Sequence, residues 1–316
     1  MQLGEKGGIR AAEAVLKEAG FTVSQECCSR PSCFDFVARK SHNLVLIRVQ
    51  SDVGCVSPTD SLELKAISKS ISATSLLISD EAREKPLEDD TVYLRHSLLA
   101  VTPRTFESIV LRKALPLIQA SPGGCYVEID GEAVKRRRQD LGLSIGDMAN
   151  MVGISRRTLY GYERGMTRAS VTAAYKLIYT LGIPVAKPIN IFEKSRNQLK
   201  CCFLTKAKLA IARNSLLSKI LTKLARYPIT TVKKAQFDFV MELPGKKMRI
   251  IGGVANYKEQ GLDRRVDEIL SVSRIVQAHP ILVTEGKEPP NKDIPWIHSD
   301  DVSKIRNLGD LVASFT

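Results

Sequence analysis

Two arginines that follow a glycine turn are the side chains of this sequence best suited to recognition chemistry. In Gly153-Ile154-Ser155-Arg156-Arg157 the glycine opens a tight turn, Ser155 can cap a new helix, and the arginines become that helix's first exposed residues. A guanidinium carries its donors in a planar fork, so it can pair bidentately with guanine O6 and N7 or with a phosphate. Two aspartates are the other residues whose setting suggests chemistry. Asp35 and Asp238 each sit in an identical Phe-Asp-Phe-Val run, and such a carboxylate can help to hold Mg²⁺ if further ligands converge on it. The seven cysteines offer less. Cys27, Cys28, Cys33, Cys55, Cys125, Cys201 and Cys202 include no Cys-x-x-Cys pair, and adjacent doublets chelate one zinc poorly. His42, His96, His279 and His298 are scattered. Reduced structural cysteines, no metal site and no cofactor are expected.

The arginines need a scaffold, and the residues from Val134 to Val185 spell one. A basic helix ends at Leu141-Gly142, where glycine can take the left-handed cap. Ser144 can then cap a short second helix, with Asp147 completing a variant of the capping box, and Met148, Ala149 and Val152 form its buried face. Ile154 points inward from the turn. Leu159 and Tyr162 give the third helix its core side, and Gly165 ends it. A fourth helix carries Val171, Ala174, Leu177, Ile178 and Leu181 and closes at Gly182 and Pro184. Helix, glycine turn and helix, with further helical support, is the helix-turn-helix plan, which inserts its second helix in the DNA major groove.

On LGLS (Leu141–Ser144), MANMVGIS (Met148–Ser155), TLYGYERG (Thr158–Gly165) and LGI (Leu181–Ile183), the segment resembles the Cro/C1 (XRE) family of helix-turn-helix domains. The resemblance implies a recognition helix from Ser155 to Arg164, with Arg156 and Arg157 at base edges and Thr158 and Tyr160 toward backbone or flanking bases. Ser144, Ser155 and Arg164 complete the implied DNA-binding set. Gly161 stands where the family often has a long polar reader, and Ile145 where it often has a phosphate-touching glutamine. Tyr162 is expected in the core, and Glu163 is expected to pair with a neighbouring arginine. Arg136, Arg137 and Arg138 could be a solvated face or phosphate contacts, and Arg168 joins them as a phosphate contact.

The flanks read as two copies of one α/β unit. Ile9, Ala12, Val15 and Leu16 mark a first helix that stops at Gly20; β-like runs follow at Phe21–Glu26, Phe34–Ala38 and Leu44–Val49. Ser61–Ile71 looks helical, Ser75–Ile78 is an apolar strand, and Asp80–Asp90 is an acidic loop. Short runs at Val92–Leu94 and Leu98–Val101 precede a helix over Pro103–Ile109. Near the end, FDFV recurs at Phe237, PILVT (Pro280–Thr284) answers SLLIS (Ser75–Ser79), and Pro295–Ile297 answers Val92–Leu94 at the same offset of 203. NLGDLV (Asn307–Val312) answers TFESIV (Thr105–Val110). A repeat this long implies two related domains rather than a solenoid.

Each copy resembles the restriction-endonuclease-like fold, whose active form adds a Glu-x-Lys on the strand after the aspartate. Here that strand reads Ile47-Arg48-Val49-Gln50 in the first copy and Ile251-Gly252-Gly253-Val254 in the second. One carboxylate cannot assemble a metal site, so both copies are expected to be degenerate modules and the chain not an enzyme. The fold class expected is α/β plus all-α: a module over residues 1–122, a Cro/C1-type domain over 126–192, and a second module over 200–316. This order is similar to an archaeal family known only by the provisional name of HTH-type transcriptional regulatory proteins.

Composition agrees with a DNA partner. The 316 residues are long enough for about two to three domains. A hydrophobic fraction of 44% and 26% charged residues exclude a disordered or fibrous chain. No apolar run reaches the roughly 18 residues of a membrane span, and the charged start lacks a signal core, so a cytoplasmic protein is expected. The net charge of +13 is unevenly spread: residues 1–125 are neutral, 126–192 hold +4, and Lys194–Arg249 alone hold +12. Within that stretch Lys219, Lys223 and Arg226 are expected on the basic face of an amphipathic helix as sequence-independent phosphate contacts. Double-stranded DNA is therefore the expected partner, and the resemblance to the Cro/C1 family implies that a homodimer binds it, with any effector unknown. The alternatives are a nuclease directed by the helix-turn-helix, or an architectural protein that binds DNA with little sequence preference.

Overall fold

The computed structural model describes residues 5–193, 217–218, 228–243, 248–256, 259–286, 289, 291 and 293–304. Lys219, Lys223, Arg226 and the segment Asn307–Val312 lie outside the described residues. In the first module, helix α1 (Glu5–Glu18) precedes strands β1 (Thr22–Val23), β2 (Phe36–Lys40) and β3 (Asn43–Val49). The strand expected over Phe21–Glu26 shortens to two residues. Beyond Val23 the chain is tied to the next segment by Ser24, whose N–H donates to Val37 O and whose Oγ accepts Val37 N–H, and by the Cys27 N–H bond to Asp35 O. Helix α2 (Pro58–Ser70) starts earlier than the apolar spacing indicates, because Ser57 caps it and Pro58 occupies its first turn. It crosses over to β4 (Thr74–Ile78), which runs parallel to β3.

The acidic loop contains a small hairpin, β5 (Glu81–Ala82) and β6 (Lys85–Pro86). Strands β7 (Thr91–Arg95) and β8 (Leu98–Val101) and helix α3 (Pro103–Arg112) follow. A further hairpin, β9 (Ile118–Ser121) and β10 (Gly124–Val127), joins this sheet through β7, and β11 (Ala169–Ser170) closes its far edge. The resulting order is β1-β2-β3-β4-β8-β7-β9-β10-β11. Residues 118–127 thus carry the first module's sheet into the helical domain; no free linker separates the two.

The second module repeats the plan in five strands: β12 (Ile229–Thr231), β13 (Phe239–Leu243), β14 (Met248–Ala255), β15 (His279–Thr284) and β16 (Trp296–His298). A crossover helix, here called α8 (Leu262–Val276), links β14 to parallel β15. Topology corrects one sequence equivalence. β16 pairs parallel to β15 as β8 pairs parallel to β4, so the counterpart of Trp296–His298 is Leu98–Val101, not Val92–Leu94.

The near-continuous apolar run of β3 buries both faces of the strand, as a covered parallel sheet requires. On one face Phe36, Ala38, Val45 and Ile47 meet Ile9, Leu16, Phe106 and Ile109 of α1 and α3. On the other, Val37, Leu44 and Leu46 join one core with Phe237, Val240, Ile251 and Ile269 of the second module. The contacts across this core are reciprocal, as in a two-fold dimer. Phe34 faces Phe237 with ring centroids 6.3 Å apart. Glu63 accepts the Lys233 and Lys234 N–H groups, while Glu268 accepts those of Cys28 and Ser29. Arg39 donates to Ile275 O and Val276 O at the end of α8, and Arg249 donates to Ile71 O and Ser72 Oγ just beyond α2. The two copies therefore serve as each other's partner within one chain.

Candidate nucleic-acid interface and the two aspartate centres

The helical domain comprises α4 (Gly131–Asp140), α5 (Ile145–Val152), α6 (Arg156–Glu163) and α7 (Val171–Leu181). Ser144 caps α5 with both capping-box bonds present: Asp147 N–H to Ser144 Oγ at 3.1 Å and Ser144 N–H to Asp147 Oδ2 at 3.0 Å. Those bonds from Ser144 hold the Asp147 carboxyl below its ordinary pKa. Gly153 takes φ +74° at the turn, and Ser155 accepts Thr158 N–H at 3.0 Å to start α6. Val134, Met148, Ala149, Val152, Leu159, Tyr162, Leu177 and Leu181 close the core behind these caps. Gly131 is required by packing: a Cβ there would lie 2.3 Å from Tyr162 O.

A buried fork locks α4 to α6. Arg138 donates to both Glu163 oxygens, Nε to Oε1 at 2.6 Å and Nη2 to Oε2 at 3.0 Å, and its Nη1 reaches Leu143 O at 2.8 Å. Outside this fork the surface is basic. Arg156, Arg157 and Arg164 are exposed. The Arg156 guanidinium lies against Gly146, where a Cβ would be 3.0 Å from Nε, and beside Asp147. Arg164 stacks on the Tyr160 ring, 5.3 Å from Cζ to centroid. Thr158 shares its hydroxyl with Ser155 Oγ at 2.8 Å, so it supports the cap.

Each aspartate centre is held by guanidinium groups. Asp35 Oδ2 accepts Val49 N–H at 2.6 Å and its Oδ1 receives Arg48 Nη1 at 2.7 Å, while Arg48 Nη2 reaches Gln50 Oε1. Burial pushes the Asp35 carboxyl above its ordinary pKa despite the Arg48 charge and the Val49 N–H. In the second module Asp238 Oδ2 accepts Val254 N–H at 2.6 Å, so Val254 is the counterpart of Val49. Gly253 then matches Arg48, and the space it leaves is filled by Ile269 and Leu282 with Arg265 of α8 next to them, whose Nη2 reaches Asp238 Oδ2 at 2.5 Å. Arg30 of the first module completes this centre, bridging Asp238 at 3.0 Å and Glu259 at 2.9 Å, and Arg265 also pairs with Glu259. The residues present do not fit the divalent metal of an active nuclease fold. The oxygens that would face it already hold guanidinium and backbone donors, and Arg48 and Gln50 stand where an acid and a lysine are needed.

A PD-(D/E)XK superfamily model matches residues 6–116, and a helix-turn-helix model matches residues 134–187. Over nearly the whole length the chain is similar to archaeal proteins named "Putative HTH-type transcriptional regulatory protein". The relative from Methanosarcina acetivorans is 30% identical over 304 residues, 94% of this chain and 92% of its own. The relative from Methanocaldococcus jannaschii is 30% identical, with 89% and 87% covered. The chain belongs to this family. The relative from Pyrococcus furiosus, 28% identical over 303 residues, shows that the similarity also spans both flanks and the centre.

Within this regulator-family protein the named site residues separate into two groups. Ser144, Ser155, Arg156, Arg157, Tyr160 and Arg164 gather on the exposed side of α5 and α6, with Thr158 half-buried among them. Arg138 does not belong there: buried and forked onto Glu163, it has no reach to a phosphate, which corrects its place among the phosphate contacts. The signal was in the spacing, since Arg138 stands four residues after buried Val134 on one helix face. Arg136 is exposed, whereas half-buried Arg137 ties α4 to Leu181 O at 3.1 Å. Gly161 is buried under Thr167, so no reader could project outward from it. Arg168 is exposed but held, its Nη1 donating to Gln119 Oε1 at 3.1 Å and its Cζ 5.4 Å above the Tyr126 ring. Sequence reasoning missed Gln119, Tyr126, Arg30 and Arg265, all of which act on partners distant in sequence. Among the described residues no helix is long and apolar enough to cross a membrane.

Proposed function

We propose that the protein is a sequence-specific transcription regulator that reads the major groove of cytoplasmic DNA with the helix from Ser155 to Arg164. The observation that carries this reading is the orientation of the arginines. Arg156, Arg157 and Arg164 stand exposed beside the capped turn, while the helix's acid, Glu163, is turned inward and neutralised by Arg138. Asp147 lies beside Arg156, yet the three arginines leave this face with an excess of positive charge, which suits the polyanionic backbone, and bidentate pairing of an arginine with guanine discriminates by about 1–3 kcal/mol.

The protein works as a homodimer on a two-fold site in this reading. It is supported by α7, whose Val171, Tyr175 and Tyr179 recur every four residues on one exposed face, the tyrosines 69% and 81% accessible. The nuclease-like modules act as a non-catalytic frame, a role supported by the arginine-held aspartates and the reciprocal packing. Selection of duplexes from a random pool by the full-length protein tests the proposal. A recovered consensus that Arg156→Ala and Arg157→Ala relax supports it; binding with no preference would favour the architectural alternative.

A further inference from the structure

The hairpin β9–β10 is built from the first module's sheet yet packs into the helical domain beside α7. β10 pairs with β11 through Tyr126–Ser170 and Val127–Ala169, and β11 follows directly on the loop that leaves α6. That loop is drawn onto the helix because position 161 has no side chain: Thr167 Oγ1 would lie 3.0 Å from a Cβ there. Thr167 is thereby held against the helix, and Arg168, next after it, is exposed, as are Arg157 and Arg164. The Arg168 guanidinium lies over the Tyr126 ring, with Gln119 accepting one of its N–H groups. The Tyr126 hydroxyl turns back on its own hairpin, donating to Gly123 O at 3.1 Å, so it is the ring that Arg168 meets.

We infer that Tyr126 and Gln119 are positioning residues that hold Arg168 as a DNA-phosphate clamp, making the hairpin of the first module part of the DNA-contacting surface. The inference rests on the DNA-binding reading above. Stacking leaves the rim of a guanidinium free, and with one donor spent on Gln119 the remaining N–H groups can meet a phosphate. Charge selects the partner. The hairpin (Ile118–Val127) and the loop (Arg164–Ser170) together contain two arginines and no acid. A phosphate contact is indifferent to base identity, so the clamp adds affinity to every sequence equally. Gly161 thus exchanges a base reader for a backbone grip.

The test measures Kd of the full-length protein over a salt series, for a duplex recovered by selection and for its scrambled counterpart. Arg168→Ala should weaken both duplexes by the same factor and reduce the salt slope by about one. Tyr126→Leu should reproduce part of that loss, Tyr126→Phe should retain wild-type binding, and Tyr126→Leu should cost nothing further in an Arg168→Ala background. Arg168→Lys, a surface change that keeps the charge but not the fork, should lie between wild type and Arg168→Ala. An unchanged slope in Arg168→Ala overturns the clamp, and wild-type affinity in Tyr126→Leu or Arg168→Lys overturns the positioning. Those outcomes require a wild type that binds; a wild-type protein that binds neither duplex overturns the DNA-binding reading itself.

Discussion

The aspartate centres and the recognition helix use the same side chain in opposite ways. Around Asp35 and Asp238, arginine is spent inward: Arg48, Arg265 and Arg30 neutralise carboxylates, and Arg265 is only 1% exposed. On α6, Arg156, Arg157 and Arg164 stay outside, and the one nearby buried arginine, Arg138, serves the fold. The difference teaches that arginine count says little about nucleic-acid contact; the partner each guanidinium already holds decides what it can still bind. Asp35 and Asp238 each sit in an ion pair, whereas the exposed arginines lie on the helical domain.

Breaking the inward pairs should have the largest effect. Glu163→Ala leaves the Arg138 charge buried without its partner, which costs about 3–5 kcal/mol. Thermal unfolding followed by circular dichroism should show a clear drop in Tm, and an unchanged melt would mean that the fork is not buried in solution. Glu268→Ala removes the acceptor of the Cys28 and Ser29 N–H groups and should cost about 1–3 kcal/mol. Its reciprocal, Glu63→Ala, should behave alike, and a large asymmetry between the two would argue against the internal two-fold packing.

Acidity should separate two carboxylates by sign, Asp60 at the inter-module core and Asp35 in the first module's aspartate centre. Burial would raise Asp60, but the Lys234 hydrogen bond and charge with the Ser57 cap bring it below its ordinary pKa. Its contribution is therefore present above about pH 3.9 and lost as pH falls through the depressed value. Asp35 is raised, so its contribution is complete below about pH 3.9 and is lost as pH rises through the raised value. In denaturant titrations the stability difference between wild type and Asp60→Asn should shrink on acidification. Asp35→Asn should instead gain on wild type as pH rises out of the ordinary carboxylate range. The same sign for both would contradict the contrast. The smallest effect concerns metal: Mg²⁺ should leave Tm unchanged, because the Asp35 oxygens are already committed, and a Mg²⁺-dependent rise abolished by Asp35→Ala would reopen the nuclease reading.

Much of the helical domain was legible because its determinants are local. Ser144 with Asp147, Gly153 and Ser155 are caps and a turn set by near neighbours, and within each helix the buried apolar residues keep helical spacing, as Met148 with Val152 and Leu177 with Leu181. The duplication was legible through its matched Phe-Asp-Phe-Val runs. What escaped was set by tertiary geometry. β5, β6 and β7 are inserted between β4 and β8 in the first copy, so an equal offset picked the wrong counterpart of β16. Arg265 answers Asp238 from a helix, and Arg30 answers it from the other module, at separations no local pattern reveals. The hairpin that meets Arg168 was not legible in the sequence at all, because what joins it to the helical domain is the pairing of β10 with β11.

The most direct measurement compares the affinities of wild type, Arg156→Ala and Arg157→Ala for the selected duplex and its scrambled counterpart at one fixed salt concentration. Each substitution should lower the preference for the selected duplex by about 5–150-fold, the equivalent of 1–3 kcal/mol, while melting stays within about 0.5 kcal/mol of wild type. A preference that survives both substitutions intact would contradict recognition by this helix.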